Sequence, residues 1–217
     1  MRRDLVSSVI AAIVLTIVFG LAYPLVMTGL GQTLFPGPAG GSKIERDGET
    51  VGSSLIGQNY TRPLLDAKGK PVLGPAGNAK TEPDPAYFQG RPSVTGNDPS
   101  VTYFNNLGPN QSDLVKMLNR NVAAYLAMEG PYNPGLEAAA VPNDAVQTSA
   151  SGVDPHISAD NAAIQANRVA AERQAPLDRV QTLIDENTDG RSLGIFGEPG
   201  VNVLELNLAL DREFPQP

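Results

Sequence analysis

Hydrophobic positions are spread very unevenly along this chain. After Met1-Arg2-Arg3-Asp4, thirty residues from Leu5 to Leu34 pass without a charge. The stretch Leu5 to Met27 is rich in Val, Ile, Leu and Ala, and about 20 apolar residues in a helix cross a bilayer's hydrocarbon core. Nothing later in the sequence resembles it. Beyond it the apolar positions come in short groups broken by Gly, Pro, Asn and Asp. The pattern predicts one membrane span over residues 5–27, a Gly/Pro linker over 28–43 and one soluble, loop-rich α+β domain over 44–217.

Within that domain, Ser53 to Tyr60 reads as a short strand and Thr61 to Pro85 as a long surface loop. Asn105-Asn106-Leu107-Gly108-Pro109 reads as a turn. A helix follows, with Asn110 as its N-cap, Leu114, Leu118, Val122 and Tyr125 on one face, and a stop at Gly130-Pro131. Val141 to Thr148 reads as a strand. Ser158 caps a second helix to about Arg173, with Ala162, Ala166, Val169 and Ala170 inward. Pro176 starts a third through Glu186, with Leu177, Val180 and Ile184 on one face. Val201 to Leu210 is compatible with strand or helix. The Asn202/Glu205 capping pair favours a short helix.

The apolar run is too long for a secretory signal, whose core is 7–15 residues, so an uncleaved anchor is expected. Arg2 and Arg3 precede the span and Lys43 follows it. The positive-inside bias puts residues 1–4 in the cytoplasm and the soluble domain outside the membrane. Ser8, Ala12, Thr16 and Gly20 recur every fourth residue, and small residues at that spacing let helices approach closely in lipid. They are the candidate packing stripe.

From Lys43 onward there are 14 Lys+Arg and 22 Asp+Glu, a net charge of −8 by subtraction. That disfavours nucleic acid and anionic lipid surfaces as partners. There is no Cys and one His, which leaves no disulfide framework and no Cys-based metal site. The Ser149–Gly152 loop lacks the Lys of a phosphate loop. A Ser–Lys hydrolase pairing Ser149 or Ser151 with Lys68, Lys70, Lys80 or Lys116 is a low-ranked alternative. One span encloses no pore, so this chain alone is no channel.

Several motifs, in order, carry a resemblance over nearly the whole chain. They are the anchor, Leu55-Ile56-Gly57-Gln58, Tyr87-Phe88 with Gly90-Arg91-Pro92-Ser93, and Asn106-Leu107-Gly108-Pro109. Then come Pro142 with Asp144, and Ser149-x-Ser151-Gly152-Val153-Asp154-Pro155-His156-Ile157-Ser158. Last are Gln165 with Arg168-Val169-Ala170 and Arg173, and Val201 to Asp211. In these the chain resembles the C subunit of the bacterial Kdp high-affinity potassium-transporting P-type ATPase.

The resemblance implies a single-pass subunit of the bacterial plasma membrane. Its implied partners are a channel-like potassium-translocating subunit and an ATPase subunit. ATP and potassium are handled by the complex, with no cofactor, metal or catalytic residue assigned to this chain. It implies a role in assembly, with a cover over the external potassium entrance as one form. The alternative it carries is a catalytic chaperone raising the ATPase subunit's affinity for ATP, which requires a cytoplasmic domain. Arg91, Asn106, Ser149, Ser151, Gly152, Asp154, His156, Gln165, Arg168, Asn202 and Asn207 are the candidates for interaction or for internal bracing.

Overall fold

In the computed structural model, residues 1–101, 103 and 106–216 are described; Asn105 of the expected turn lies outside them. The described residues form two compact units, Met1–Ser53 and Ser54–Pro217. The architecture mixes helix and sheet, as the α+β expectation has it.

The first unit is dominated by α1, Arg2–Leu34, a 33-residue helix of mean hydropathy 2.6 with none of its most apolar window buried. At 1.5 Å per residue it is about 50 Å long, more than the ~30 Å hydrocarbon core. Helical backbone thus continues through Leu34, seven residues past the expected end of the span. Val18–Ala22 is a wider π turn, in which the Tyr23 N–H donates to the Val18 carbonyl. Pro24 supplies the reason. It has no N–H for the Gly20 carbonyl four residues back, and its ring crowds that group. A local π turn is one way a helix absorbs such a break.

A single turn, α2 (Pro36–Ala39), leads to an antiparallel hairpin of β1 (Lys43–Arg46) and β2 (Glu49–Ser53). Asp47 and Gly48, both with positive φ of 53° and 83°, make its turn. Asp-Gly is a favoured two-residue hairpin connection. The expected strand Ser53–Tyr60 is therefore displaced: the strand ends at Ser53, and the following residues are turn and irregular chain.

The second unit starts with an arm rather than the expected loop. β3 (Thr61–Pro63) pairs with β4 (Thr81–Pro83), and bridges at Leu65–Pro71 and Leu73–Ala79 extend the arm. Backbone amides of Leu64, Val72 and Lys80 donate to Lys80, Leu64 and Val72 carbonyls at 2.7–2.8 Å, which explains how so polar a segment holds its shape. Helix α3 (Ser112–Glu129) has Gln111 at its N-cap position rather than Asn110, with no side-chain capping bond. Val141–Thr148 is not a strand: Pro142 precedes a single helical turn, α4 (Asn143–Val146).

Helices α5 (Ala159–Arg173) and α6 (Leu177–Glu186) lie where the sequence predicts, although Leu177 faces solvent. Ser158 Oγ accepts from the Asn161 amide, as expected of an N-cap. A small sheet has the order β5 (His156–Ile157), β7 (Gly200–Asn202), β6 (Thr188–Asp189), all antiparallel. The ambiguous segment is both things in turn. Gly200–Asn202 is the central strand, and Val203–Glu213 is helix α7, capped by Asn202 Oδ1 accepting from the Glu205 amide at 3.2 Å. Phe88, Ile157, Ala166, Val169, Val180, Val201, Leu206 and Leu210 form the core between α5, α6, α7 and the sheet.

Candidate interaction site

The matched segments converge around Gly152. Its φ of 74° is a conformation that suits glycine, and a Cβ there would lie 2.7 Å from Thr95 Oγ1. The Gly152 carbonyl accepts from both Ser93 Oγ at 2.5 Å and Thr95 Oγ1 at 2.9 Å. Gly57 is equally constrained, since its Cβ would meet the Asp154 carbonyl at 2.6 Å. Its amide donates to Val153 O at 2.8 Å. Three separate stretches of sequence are thereby held in one patch.

That patch borders a cleft of about 340 Å³ lined by Arg91, Asp144, Asp154, His156, Asp189 and Glu198, among others. Asp154 works on two sides. Its Oδ1 accepts from the His156 amide at 3.0 Å, and its Oδ2 accepts from Arg91 Nη1 at 2.9 Å. The His156 ring lies between carboxylates, with Nε2 3.0 Å from Asp189 Oδ2 and Nδ1 3.8 Å from Asp154 Oδ1. Four carboxylates face one guanidinium and one imidazole, so the cleft suits cationic or hydrogen-donating groups. Among the described residues no three His, Asp or Glu side chains are grouped to hold a metal ion.

Behind the cleft lies a buried polar network. Arg168, fully buried, donates from Nε to Glu129 Oε1 at 2.9 Å, from Nη2 to Gln165 Oε1 at 2.9 Å, and from Nη1 to the carbonyls of Tyr87 and Pro85. Burial pushes the Glu129 carboxyl above its usual range, and the Arg168 charge opposes that. Gln165 Oε1 also accepts from the Gln89 amide at 2.8 Å, while its Nε2 donates to Gln89 O and to Asn161 Oδ1. Asn161 Nδ2 donates to Asp144 Oδ2, which also accepts from the Ser158 amide; Asp144 Oδ1 takes the Ser158 hydroxyl. On α7, Asn207 accepts from the Phe88 N–H and donates to the Phe88 carbonyl, both at 3.0 Å.

The sequence candidates thus divide by place. Gln165, Arg168 and Asn207 are buried and brace the Pro85–Gln89 segment. Asn202 is buried, caps α7 and donates to Ser54 O at 2.9 Å. Ser149 is buried, and its amide donates to Pro92 O. Arg91, Asp154 and His156 are half-buried and line the cleft. Gly152 shapes the turn, and Ser151 Oγ accepts from the Val153 amide. Asn106 is exposed and belongs to neither the cleft nor the network. Ser8, Ala12, Thr16 and Gly20 are exposed on α1, where the Ser8 hydroxyl donates to Asp4 O.

All four candidate lysines are exposed, and Lys116 pairs with Asp113 at 3.2 Å. A Ser–Lys base needs a desolvated amine, so the geometry gives the hydrolase alternative no support. Glu129, Asn161 and Asp189 belong to none of the sequence motifs, and Tyr125, whose hydroxyl donates to Asn161 Oδ1 at 2.9 Å, is legible in the sequence only as a helix-face residue. The available signal was Arg168 on the Ala-rich inner face of α5, which demands a buried acid.

The family model described as "K+-transporting ATPase, c chain" matches residues 5–212. A potassium-transporting ATPase KdpC subunit from Streptomyces coelicolor is 43% identical, over 92% of this chain and 88% of its own length. Those from Polaromonas naphthalenivorans and Mycobacterium bovis BCG are 44% and 40% identical, over 99% and 98% of this chain and 97% and 100% of their own lengths. The match runs through the apolar helix, the Gly152 patch and the buried network alike, and so this chain belongs to the KdpC family, the c chains of K+-transporting ATPases.

Proposed function

We propose that this chain is the non-catalytic accessory subunit of an ATP-driven, high-affinity potassium uptake complex. In this reading one uncleaved span has its N-terminus in the cytoplasm and carries residues 44–217 outside the plasma membrane. The observation that carries it is the family match over residues 5–212, which takes in the apolar helix and the Ser54–Pro217 unit up to residue 212. Arg2 and Arg3 before the span support the orientation. The polar residues of the matched motifs are largely engaged with their own backbone, which suits a rigid docking body. Its partners are a channel-like potassium-translocating subunit and a P-type ATPase subunit. The acidic surface gathers cations and covers the external potassium entrance.

Co-purification of the full chain from membranes tests the assembly role, with the partner chains expected in the same fraction. Fusion of a phosphatase that works only outside the cytoplasm to the C-terminus tests the topology. Activity is expected. An inactive fusion alongside an active cytoplasmic reporter instead supports the reading as a chaperone for ATP binding. Neutralising external carboxylates should weaken uptake at low potassium, and unchanged uptake removes the entrance-covering role.

A further inference from the structure

We propose that the turn Ser192–Phe196 is a docking plug, seating Leu193, Ile195 and Phe196 in an apolar, basic-rimmed pocket on another chain of the ATPase complex. The proposal rests on the reading of this chain as a subunit.

Leu193 is 90% exposed, Ile195 69% and Phe196 61%. Elsewhere among the described residues of 54–217, exposed large apolar side chains such as Leu55, Leu73 and Val115 stand singly, or as the pair Val101 and Tyr103, which is ordinary for a protein surface. Here three fall within four positions. The turn is closed by paired backbone bonds, Ser192 N to Phe196 O at 2.8 Å and Phe196 N to Ser192 O at 2.9 Å. It is a formed hairpin that holds its apolar side chains outward.

The backbone adds an independent observation. Leu193 has φ of 54° and Gly194 77°. Two successive left-handed residues are the conformation for which Asn-Gly is favoured. A leucine there is strained, and its side chain has no intramolecular burial to offset the strain. Strain at an exposed apolar tip is understandable when the side chain is stabilised by something outside the chain.

Charge selects the occupant. Asp185, Glu186, Asp189 and Glu198 flank the turn in sequence; Arg191 pairs with Glu198 at 2.6 Å, Arg179 with Glu186 at 3.1 Å and His156 with Asp189 at 3.0 Å, and carboxylates remain in excess over guanidinium groups. Loops and helices that enter lipid headgroups carry Lys and Arg, so a bilayer with anionic lipid is a poor match. A second copy would set one acidic rim against another. An apolar pocket with Lys or Arg at its edge, on a different chain, satisfies both features.

The test places a benzophenone amino acid at Leu193 in the full chain, in membranes that also contain the partner chains. Irradiation should join this chain to another chain of the complex. Leu193→Gly should keep or raise the thermal stability of the isolated chain, because the strain is relieved. It should also weaken retention by the complex roughly ten-fold, as loss of an interface anchor does; Phe196→Ser should weaken retention similarly. Adducts only to lipid or to a second copy, or no adduct with full retention of both variants, overturn the plug. If the unsubstituted chain is itself not retained, the subunit reading fails before the turn is tested.

Discussion

Arg168 and Glu129 meet at 2.9 Å with side chains 0% and 1% exposed. They lie 39 residues apart, on α5 and α3. Removing one member of such a pair leaves the other charge buried, at a cost of about 3–5 kcal/mol. Arg168→Met should therefore lose that much in urea unfolding of the detergent-solubilised chain. Arg168→Lys should be nearly as harmful, because an ammonium cannot span the Glu129, Gln165, Tyr87 and Pro85 acceptors. A lysine variant of wild-type stability would show that the fork geometry is not what holds the network.

Gly152 and Thr95 should couple. Gly152→Ala meets two obstacles, the positive φ and the Thr95 side chain 2.7 Å away. The expected loss is about 2–3 kcal/mol. In a Thr95→Ala background the steric part disappears while the backbone part, about 1 kcal/mol, remains. Double-mutant-cycle denaturation measures the difference. Strict additivity would mean that the two residues do not clash.

High pH should loosen the Ser54–Pro217 unit. Burial raises the Tyr60 phenol from 10.0 to about 12 and raises Tyr125 as well. The unfolded chain ionises these phenols near 10, while the folded chain keeps them neutral. The unfolded state then binds fewer protons, so stability is intact below pH 10 and falls as pH rises towards 12. For Tyr60 the loss is about 2–3 kcal/mol by pH 12. Melting temperature followed from pH 9 to 12 should fall, and Tyr60→Phe should flatten part of the fall.

Helix signals in this sequence were legible because they are local. Ser158, Pro176 and the Asn202/Glu205 pair each act within one turn of the helix they start. The sheet was not legible for the opposite reason. Its strands are two or three residues long, too short for any alternation to register, and each exists only because a distant partner completes it. The Asp47-Gly48 hairpin turn is the exception, a local signal with the favoured Asp-Gly pair at positive φ. In the network, Gln165, Arg168 and Asn207 could be picked out by motif, but their acceptors could not. Those acceptors are largely backbone groups of Pro85, Tyr87, Phe88 and Gln89, and a carbonyl looks the same at every position of a sequence.

The stripe on α1 gives a separate prediction. Ala12→Leu and Gly20→Leu should leave the chain in the membrane and reduce co-purification of its partners, since bulk at a small-residue seam keeps helices apart. Normal recovery with both variants would reduce the span to a tether.

The Phe88 backbone is held from both sides by Asn207, 119 residues further on. Arg173 ties the same region again, donating to Ala86 O and Phe214 O, pairing with Asp211 and lying 4.4 Å over the Tyr87 ring. The Ala86–Phe88 segment and α7 are therefore joined across the chain between them within the Ser54–Pro217 unit. A cut in the exposed stretch at Pro134-Gly135 would not release either half, because Glu129–Arg168, Gln89–Gln165 and Phe88–Asn207 all cross it. The unit should be recoverable from two separately made fragments, 1–134 and 135–217, rejoined by these hydrogen bonds and by Phe88 in the apolar core of the second fragment.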